Sequence, residues 1–315
     1  MNFICIHNEP IGLIDVDAGK NFPNLVLLKL SAYFKQNGCS VDLLDVSDVL
    51  GGMVDLSAYS HVFGACVFTR NQETCTKLQA LGVFVAGSGA PKPFDSVTLP
   101  SEIEHIYPDY TLYHNDKFKN TAYGFMSRGC PRGCPFCIVA GKEGRYSHKV
   151  ADLSEFRSKE HYLKLMDPNI LACPDSLDLL QQLVDTRVRV DINQGLDARL
   201  LNPDNIALIN ELNTEMLHFA WDNPRDTKCR DNLALFAESN PLKPRRRRVY
   251  VLTNYWSTFE QDLMRVYWLR DNGYDPYVMV YDREHAPKQI KRLQRYVNNK
   301  FVFRTCPSFD DYQKK

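Results

Sequence analysis

The chain has 315 residues, 44% of them hydrophobic, with 38 basic and 38 acidic side chains and hence no formal net charge. Such a length and apolar content suit one large or two modest globular domains with a substantial core, and charge neutrality excludes a chain-wide pull toward nucleic acid while leaving room for a local basic patch. No apolar run approaches membrane-spanning length, the opening MNFICIHNEPIG lacks a basic start followed by a signal-like run, and ten cysteines in so long a chain read as thiols of a reducing compartment rather than a disulfide framework, so a cytoplasmic location is expected.

In chain order, residues 2–7 read as an opening strand, 25–36 as an amphipathic helix, 40–44 as a second strand after the turn-like Asn37 and Gly38, and 61–68 and 83–86 as further apolar runs. A helix between two parallel strands gives the usual right-handed crossover, so residues 1–91 are expected to form a small Rossmann-like parallel-sheet domain. Ligands of such sheets sit beyond the strands' carboxyl ends, where His7, Asp45 and the GSGAP turn of 87–91 would lie. The plainer readings are an ordinary strand-end histidine and a tight turn at Gly87, Ser88 and Gly89. Residues 92–121 carry Pro93, Pro100 and Pro108 without sustained periodicity and read as a linker, one that packs against a domain surface because unsupported loops of that length are uncommon.

Residues 122–141, AYGFMSRGCPRGCPFCIVAG, run from a short strand into a loop bearing Cys130, Cys134 and Cys137, and the intervening Gly129 and Gly133 permit the tight turning that lets three thiolates face one centre. A structural zinc site wants four protein ligands, whereas a cubane iron–sulfur cluster held by three leaves one iron open. A zinc knot completed by His148, or uncoordinated cysteines, are the alternatives. The CxxxCxxC pattern, with the aromatic Phe136 directly before the third cysteine, resembles the radical S-adenosylmethionine (radical SAM) enzymes. That resemblance implies a [4Fe-4S] cluster on Cys130, Cys134 and Cys137, whose open iron chelates the methionine part of S-adenosylmethionine. It further implies a 5'-deoxyadenosyl radical on reduction, Phe136 beside the cofactor, and a flavodoxin- or ferredoxin-like electron donor. The first domain is similar to a reduced cobalamin-binding domain of the kind that precedes many such enzymes, and the LPSEIEHIYPDYTLY segment of 99–113 resembles their connection to the catalytic domain. The DxHxxG ligand motif and an acidic GEGE-like turn are missing, so cobalamin is a candidate ligand that is not expected to bind tightly.

Beyond the cysteines, strand-like runs at 162–166, 188–192, 216–221, 249–253 and 277–281 alternate with helices at 176–186, after Pro203, and at 231–238, 259–270 and 287–297. With 122–126 they make six units, and the expected core, 122–298, is a partial six-stranded (β/α)6 barrel, the architecture the resemblance also implies. In barrels of this kind chemistry gathers where strands run into loops, and that rule selects Asp167 and Asn169, then Asp191, Asn193 and Gln194, then Trp221, Asp222 and Asn223, then Asn254, then Asp282. The resemblance implies that Asp167, with Asn169, orients the cofactor's ammonium or the substrate, that Asn193 and Gln194 approach the cofactor sugar or substrate, that Asp222 binds the ribose hydroxyls, and that Asn254 contacts adenine. Each also has a plainer reading as a helix cap or turn residue.

The arginines at 245–248 read as a solvated rim at the amino end of the fifth strand, with phosphate or RNA contact the weaker alternative, and 299–315 as an extension opening in a strand-like run and carrying an inert Cys306. The function expected is therefore a radical SAM enzyme abstracting hydrogen from an unidentified substrate. A zinc-stabilised RNA-binding protein and a degenerate, noncatalytic scaffold are the competing readings.

Overall fold

The computed structural model describes residues 7–17, 21–114 and 116–313. The chain forms two compact units, one of residues 1–124 with 151–161 and the other of residues 125–150 with 162–315. Among the described residues no helix is long and apolar enough to cross a membrane.

In the first unit, strands β1 (Pro10–Asp15), β2 (Ser40–Leu44), β3 (His61–Ala65) and β4 (Phe84–Ala86) pair in parallel in the order β2-β1-β3-β4. The expected strand at 2–7 lies outside the described residues, and the central strand is instead the IGLID run, whose residues are buried on both sheet faces, as the middle of a covered parallel sheet requires. Ile11 and Leu13 pack with Leu27, Leu28 and Phe34 of helix α1 (Leu25–Gln36). On the other face Ile14 and Val16 meet Val49 of α2 (Val46–Leu50) and Cys75 and Leu78 of α3 (Gln72–Ala80). Helix α1 begins where Asn24 caps the amides of Val26 and Leu27.

The segment expected as a linker is an integral part of this unit. Helix α4 (Ser101–Glu104) buries Ile103 against the α1 core together with Leu112, and Asp109 accepts hydrogen bonds from Ser31 and Lys35 of α1. The Tyr110 hydroxyl donates to Phe156 O and to Tyr123 O of β5 (Thr121–Gly124), while that of Tyr113 donates to Asp15. Aromatic residues carry this packing, which explains why no helical or strand period marks it.

The second unit opens with a two-strand ribbon, β6 (Ser127–Arg128) against β7 (His148–Lys149), which encloses the cysteine loop and the short helix α5 (Val139–Lys142). Five strand–helix pairs follow among the described residues: β8 (Tyr162–Leu165) with α6 (Ser176–Thr186), β9 (Arg189–Ile192) with α7 (Pro203–Glu211), β10 (Leu217–Ala220) with α8 (Thr227–Ser239), β11 (Arg247–Thr253) with α9 (Phe259–Asp271), and β12 (Asp275–Val280) with α10 (Lys288–Asn298). Strand β8 pairs with β9 and β10 with β11 and β12, all in parallel, and parallel bridges at Val190–Thr214 and Leu196–Phe219 join the two sets. Strand alternation turns Leu163, Val190, Phe219, Val249, Val251 and Val278 to a buried face, and Lys164, Asp191, His218, Arg248, Tyr250 and Tyr277 to the other.

Two expectations are corrected here. The run after residue 299 is helical, α11 (Lys300–Thr305) followed by α12 (Phe309–Gln313), because Asn299 caps Val302 and the apolar side chains recur at helical spacing, with Phe303, Cys306 and Phe309 packing on Tyr296 and Leu293. The arginines of 245–248 are not a solvated rim. Arg246 donates to Thr214 O and Glu215 O, the buried Arg247 donates to Ala237 O over the Tyr274 ring, and Arg248 pairs with Asp275 at 2.8 Å, which leaves Arg245 as the exposed member. Three of the four became structural because guanidinium groups satisfy the carbonyls and the carboxylate that stand at the strand start.

Helix α9 carries a wholly buried ion pair, Arg265 with Asp262. Arg265 makes five hydrogen bonds, to Trp221 O and Asp222 O after β10, to Leu252 O of β11, to Ser257 Oγ and to Asp262 Oδ1. Burial pushes the Asp262 carboxyl up and the Arg265 guanidinium down, so desolvation opposes the pair and the hydrogen bonds retain it. Arg265→Ala should lower the unfolding free energy by about 3–5 kcal/mol by stranding Asp262, measured by urea titration with circular dichroism. Arg265→Lys should recover little of this, since one ammonium cannot reach carbonyls on two strands. A loss under ~1 kcal/mol for Arg265→Ala would show that the pair is dispensable.

Candidate functional site

The cysteine loop is held at its base by polar bonds rather than by apolar packing. Asp167, 1% exposed just after β8, accepts from the amides of Met126 and Ser127 and from the Ser127 hydroxyl, and Glu143 accepts from Arg128 and from the Gly129 amide. Gly129 and Gly133 take φ of +82° and +56°, and a Cβ on Gly129 would stand 2.1 Å from Tyr146 O, so the expected tight turning depends on glycine there. The Cys130 amide donates to Gly144 O and the Cys137 amide to Cys134 O, which curls the loop so that Cys130 and Cys134 are half-buried and Cys137 is exposed. Burial raises the Cys134 thiol; Arg199 opposes it, while Asp222, Cys130 and Cys137 add as neighbouring negative charges.

Cys134 is therefore within electrostatic reach of both Cys130 and Cys137. Among the described residues no three His, Cys, Asp or Glu side chains are gathered as closely as a single ion demands. His148, the fourth ligand of a zinc knot, is exposed, its ring stacked on Tyr146 and its Nδ1 3.4 Å from Tyr146 O. A mononuclear tetrahedral site wants four close donors, whereas the ligands of a polynuclear sulfur cluster bind separate irons and stand farther apart.

Around the loop the sequence-selected residues divide. Asn169, 4% exposed, points Nδ2 at Cys130 Sγ (3.6 Å) and at Asp197 Oδ2 (3.3 Å), and its Oδ1 is buried without a partner. Asp222 is close enough to Cys134, Arg199 and Arg265 to interact electrostatically, and burial pushes its carboxyl up to about 6 against those arginines. Phe136 packs edge-on to Tyr255 (5.4 Å) and Trp256 (5.3 Å), with Tyr281 4.6 Å from Tyr255, so the carboxyl ends of β11 and β12 present an aromatic wall beside the loop. Asn193 keeps its Oδ1 buried and unpartnered, whereas Gln194 is exposed.

Other candidates serve the chain itself. Asp167 uses both oxygens on the loop entry, Asn254 adopts φ +62° and donates to Tyr281 O, and Asn223 and Asp282 close turns through Arg225 N and His285. Trp221 is buried against Trp268. In the first unit His7 is exposed and Asp45 caps α2. The Gly87–Gly89 turn presses on the chain after β3, where Cβ atoms would come within 2.4 Å of Cys66 O and 2.5 Å of Phe68 N. Its amides at Gly87 and Gly89 already donate to Phe94 O and Cys66 O.

Sequence reasoning missed a network tying the cysteine loop to the β9 end. Asp197 accepts from Arg132 of that loop (2.8 Å) and from Arg199 (2.7 Å), and Arg199 reaches Asp226. Asp197 stays below the ordinary carboxylate range because these guanidinium groups outweigh its burial. Asp197 and Arg199 are two positions apart in the chain, but Arg132 lies 65 residues from Asp197 and only folding brings it there.

No protein-family model matches the chain, and no curated protein matches it at a significant level. Among solved structures the chain is similar to the cobalamin-dependent S-adenosylmethionine radical enzyme OxsB, determined with aqua-cobalamin and S-adenosylmethionine bound, at a TM-score of 0.56 and 11% identity. The match covers 94% of this chain and 56% of that one, so the chain spans little more than half the neighbour's length. At this identity the likeness is one of fold, a mixed α/β architecture with parallel sheets.

Burial raises the Asp167 carboxyl to about 6 although three donors favour its charge. An unfolded aspartate titrates near ~4, so the native state binds this proton more tightly, and the stability it contributes is present below about pH 4 and lost as pH rises through about 6. Urea titrations of metal-free protein should show the stability advantage of wild type over Asp167→Asn shrinking across that window. A widening advantage would mean that the site stabilises the carboxylate.

Proposed function

We propose that the protein is a radical SAM enzyme in which Cys130, Cys134 and Cys137 hold a [4Fe-4S] cluster. The observation that carries the reading is the glycine-turned loop that presents Cys130, Cys134 and Cys137 beside the carboxyl ends of parallel strands, with Asn169 Nδ2 3.6 Å from Cys130 Sγ. The fold likeness to a radical SAM enzyme supports it. On this reading the strand–helix repeats belong to a partial six-unit (β/α) barrel, and the first unit is the counterpart of a reduced cobalamin-binding domain. When bound, the cluster supplies the electron that cleaves S-adenosylmethionine to methionine and a 5'-deoxyadenosyl radical, the agent that takes hydrogen from substrate.

The chain's own groups bind and orient. Asp167 and the Arg132–Asp197–Arg199 network fix the loop before any metal arrives, so ligation costs little ordering of the backbone. Asn169 Oδ1, buried, unpartnered and on a side chain that also faces Cys130, suits the methionine ammonium as donor. Asp222 accepts from the ribose hydroxyls, and its desolvated carboxylate gains from such donors. Phe136, Tyr255 and Trp256 offer adenine an apolar wall and exclude water from it. The exposed Cys137 side of the loop is where a flavodoxin- or ferredoxin-like donor would approach.

Anaerobic reconstitution should load about four irons and four sulfides per chain, and alanine at Cys130, Cys134 or Cys137 should abolish stable loading while Cys229→Ala and Cys306→Ala, both at buried positions, leave it intact. Cluster assembly in all three ligand variants, scored by iron analysis and visible absorbance, would refute the ligand assignment. Reduced, loaded protein should form 5'-deoxyadenosine from S-adenosylmethionine, and Asp222→Asn should weaken cofactor binding by about tenfold, the worth of one charge-assisted hydrogen bond.

Cobalamin is not expected to bind tightly, because the Gly87 and Gly89 amides are spent within the first unit and the sequence carries neither a DxHxxG motif nor an acidic GEGE-like turn. Gel filtration after titration with hydroxocobalamin should leave the protein colourless. Near-stoichiometric retention would reverse this and bring methyl transfer forward.

A further inference from the structure

The polar face of the β8–β12 sheet holds buried hydrogen-bonding atoms that no protein group satisfies. Asp191 Oδ1, Asn193 Oδ1 and His218 Nδ1 are all buried without a hydrogen-bond partner. His218, 9% exposed, stands with Nδ1 3.7 Å from Asp191 Oδ1, too far for a direct hydrogen bond and close enough for one small polar atom to serve both. Its ring stacks on Tyr250 at 5.5 Å and 7°, and Tyr277 meets Tyr250 edge-on at 5.9 Å, which places an aromatic cluster beside the orphaned atoms. Unsatisfied buried acceptors each carry a desolvation penalty, so their concentration on one face marks a place finished by a ligand.

The chemistry narrows what that ligand offers. Two of the three atoms only accept, so the partner donates. A cation is disfavoured: Lys164 lies opposite Asp191 in the strand register, and Arg248 lies opposite His218. An anion would meet the bare oxygens of Asp191 and Asn193. Burial, with Arg248, holds the His218 imidazole below its usual titration range despite Asp191, and a neutral imidazole presents one donor and one acceptor. A hydroxyl suits both tautomers. His218 lies within β10, whereas Asp222, assigned above to the cofactor's ribose, follows that strand.

We propose that Asp191, Asn193 and His218, backed by Tyr250, form a substrate seat for a neutral, hydroxyl-bearing ring, sugar-like in chemistry, whose hydroxyls donate to Asp191 Oδ1 and Asn193 Oδ1 and bridge to His218 Nδ1. The fate of that ring rests on the radical SAM reading; its binding does not.

Saturation-transfer NMR on the full chain tests the seat with methyl β-D-glucopyranoside, 1,4-diaminobutane and D-glucuronate as probes. The glucoside should receive transfer, the other two markedly less, and glucoside binding should weaken by about tenfold in Asp191→Ala and about fivefold in Asn193→Ala, one charge-assisted and one neutral hydrogen bond. Both of those side chains are partly exposed, so these variants test the seat even where His218→Ala fails to fold, with circular dichroism confirming the folded state. No transfer to the glucoside, unchanged transfer in both variants, or stronger transfer to the diamine or the glucuronate would overturn the proposal. Displacement of the glucoside by S-adenosylmethionine would overturn it too, by making the seat the cofactor's own sugar pocket. Formation of 5'-deoxyadenosine is scored separately, so glucoside binding without it retains the seat and refutes the radical reading, and the converse result does the opposite.

Discussion

The second unit depends on one buried guanidinium. Arg265 projects from α9 to the carbonyls that end β10 and β11, and no apolar side chain could occupy that position without leaving Trp221 O, Asp222 O and Leu252 O short of donors. Its cost is desolvation, which the structure offsets with a buried carboxylate one turn earlier on the same helix and with the Ser257 hydroxyl between them. The consequence is geometric: the chain at Asp222, among the groups nearest Cys134, is positioned by α9 rather than by its own strand alone.

Polar fastening recurs in the cysteine loop. A loop of glycine, proline and cysteine buries little apolar area, so it would sample many shapes unless hydrogen bonds reduced them. Asp167 fixes its entry, Glu143 and Arg128 close its base, and Arg132 ties its middle to Asp197. Two of these carboxylates respond differently to similar burial. Asp197 is held low by two arginines, whereas Asp167, whose donors are amides and a hydroxyl, is pushed up. The contrast separates an electrostatic anchor from a hydrogen-bonding one.

The sheet of the second unit is apolar toward its helices and polar on the opposite face, and the two faces obey different rules. Val190, Phe219 and Val251 need only volume and alternation. Lys164, Asp191, His218 and Tyr250 need partners, and where the chain supplies them, as for Arg248 with Asp275, the residue stiffens the sheet edge. Where it does not, as at His218 Nδ1, the face keeps an unfilled hydrogen-bonding demand.

The sequence by itself determined the local elements and the chemistry of the loop. The helices of 25–36 and 176–186 and the strand of 40–44 occur at the residues expected, because apolar periodicity, Asn24 as a cap and the turn at Gly38 are all encoded within a few positions. The three cysteines and their two glycines were legible for the same reason. Tertiary structure alone decided what each polar residue is for. Arg265 sits on the buried side of an amphipathic helix, where a charge reads as a break in the pattern until the carbonyls 13 and 44 residues away are in view. The 245–248 arginines read as a charged rim until Asp275 and Ala237 O come beside them, and the 92–121 segment read as a linker until its tyrosines found Asp15 and Phe156. Periodicity reports which side of an element meets water, a property of neighbours in the chain. Hydrogen-bond partners of buried polar groups are neighbours in space, and only folding chooses them.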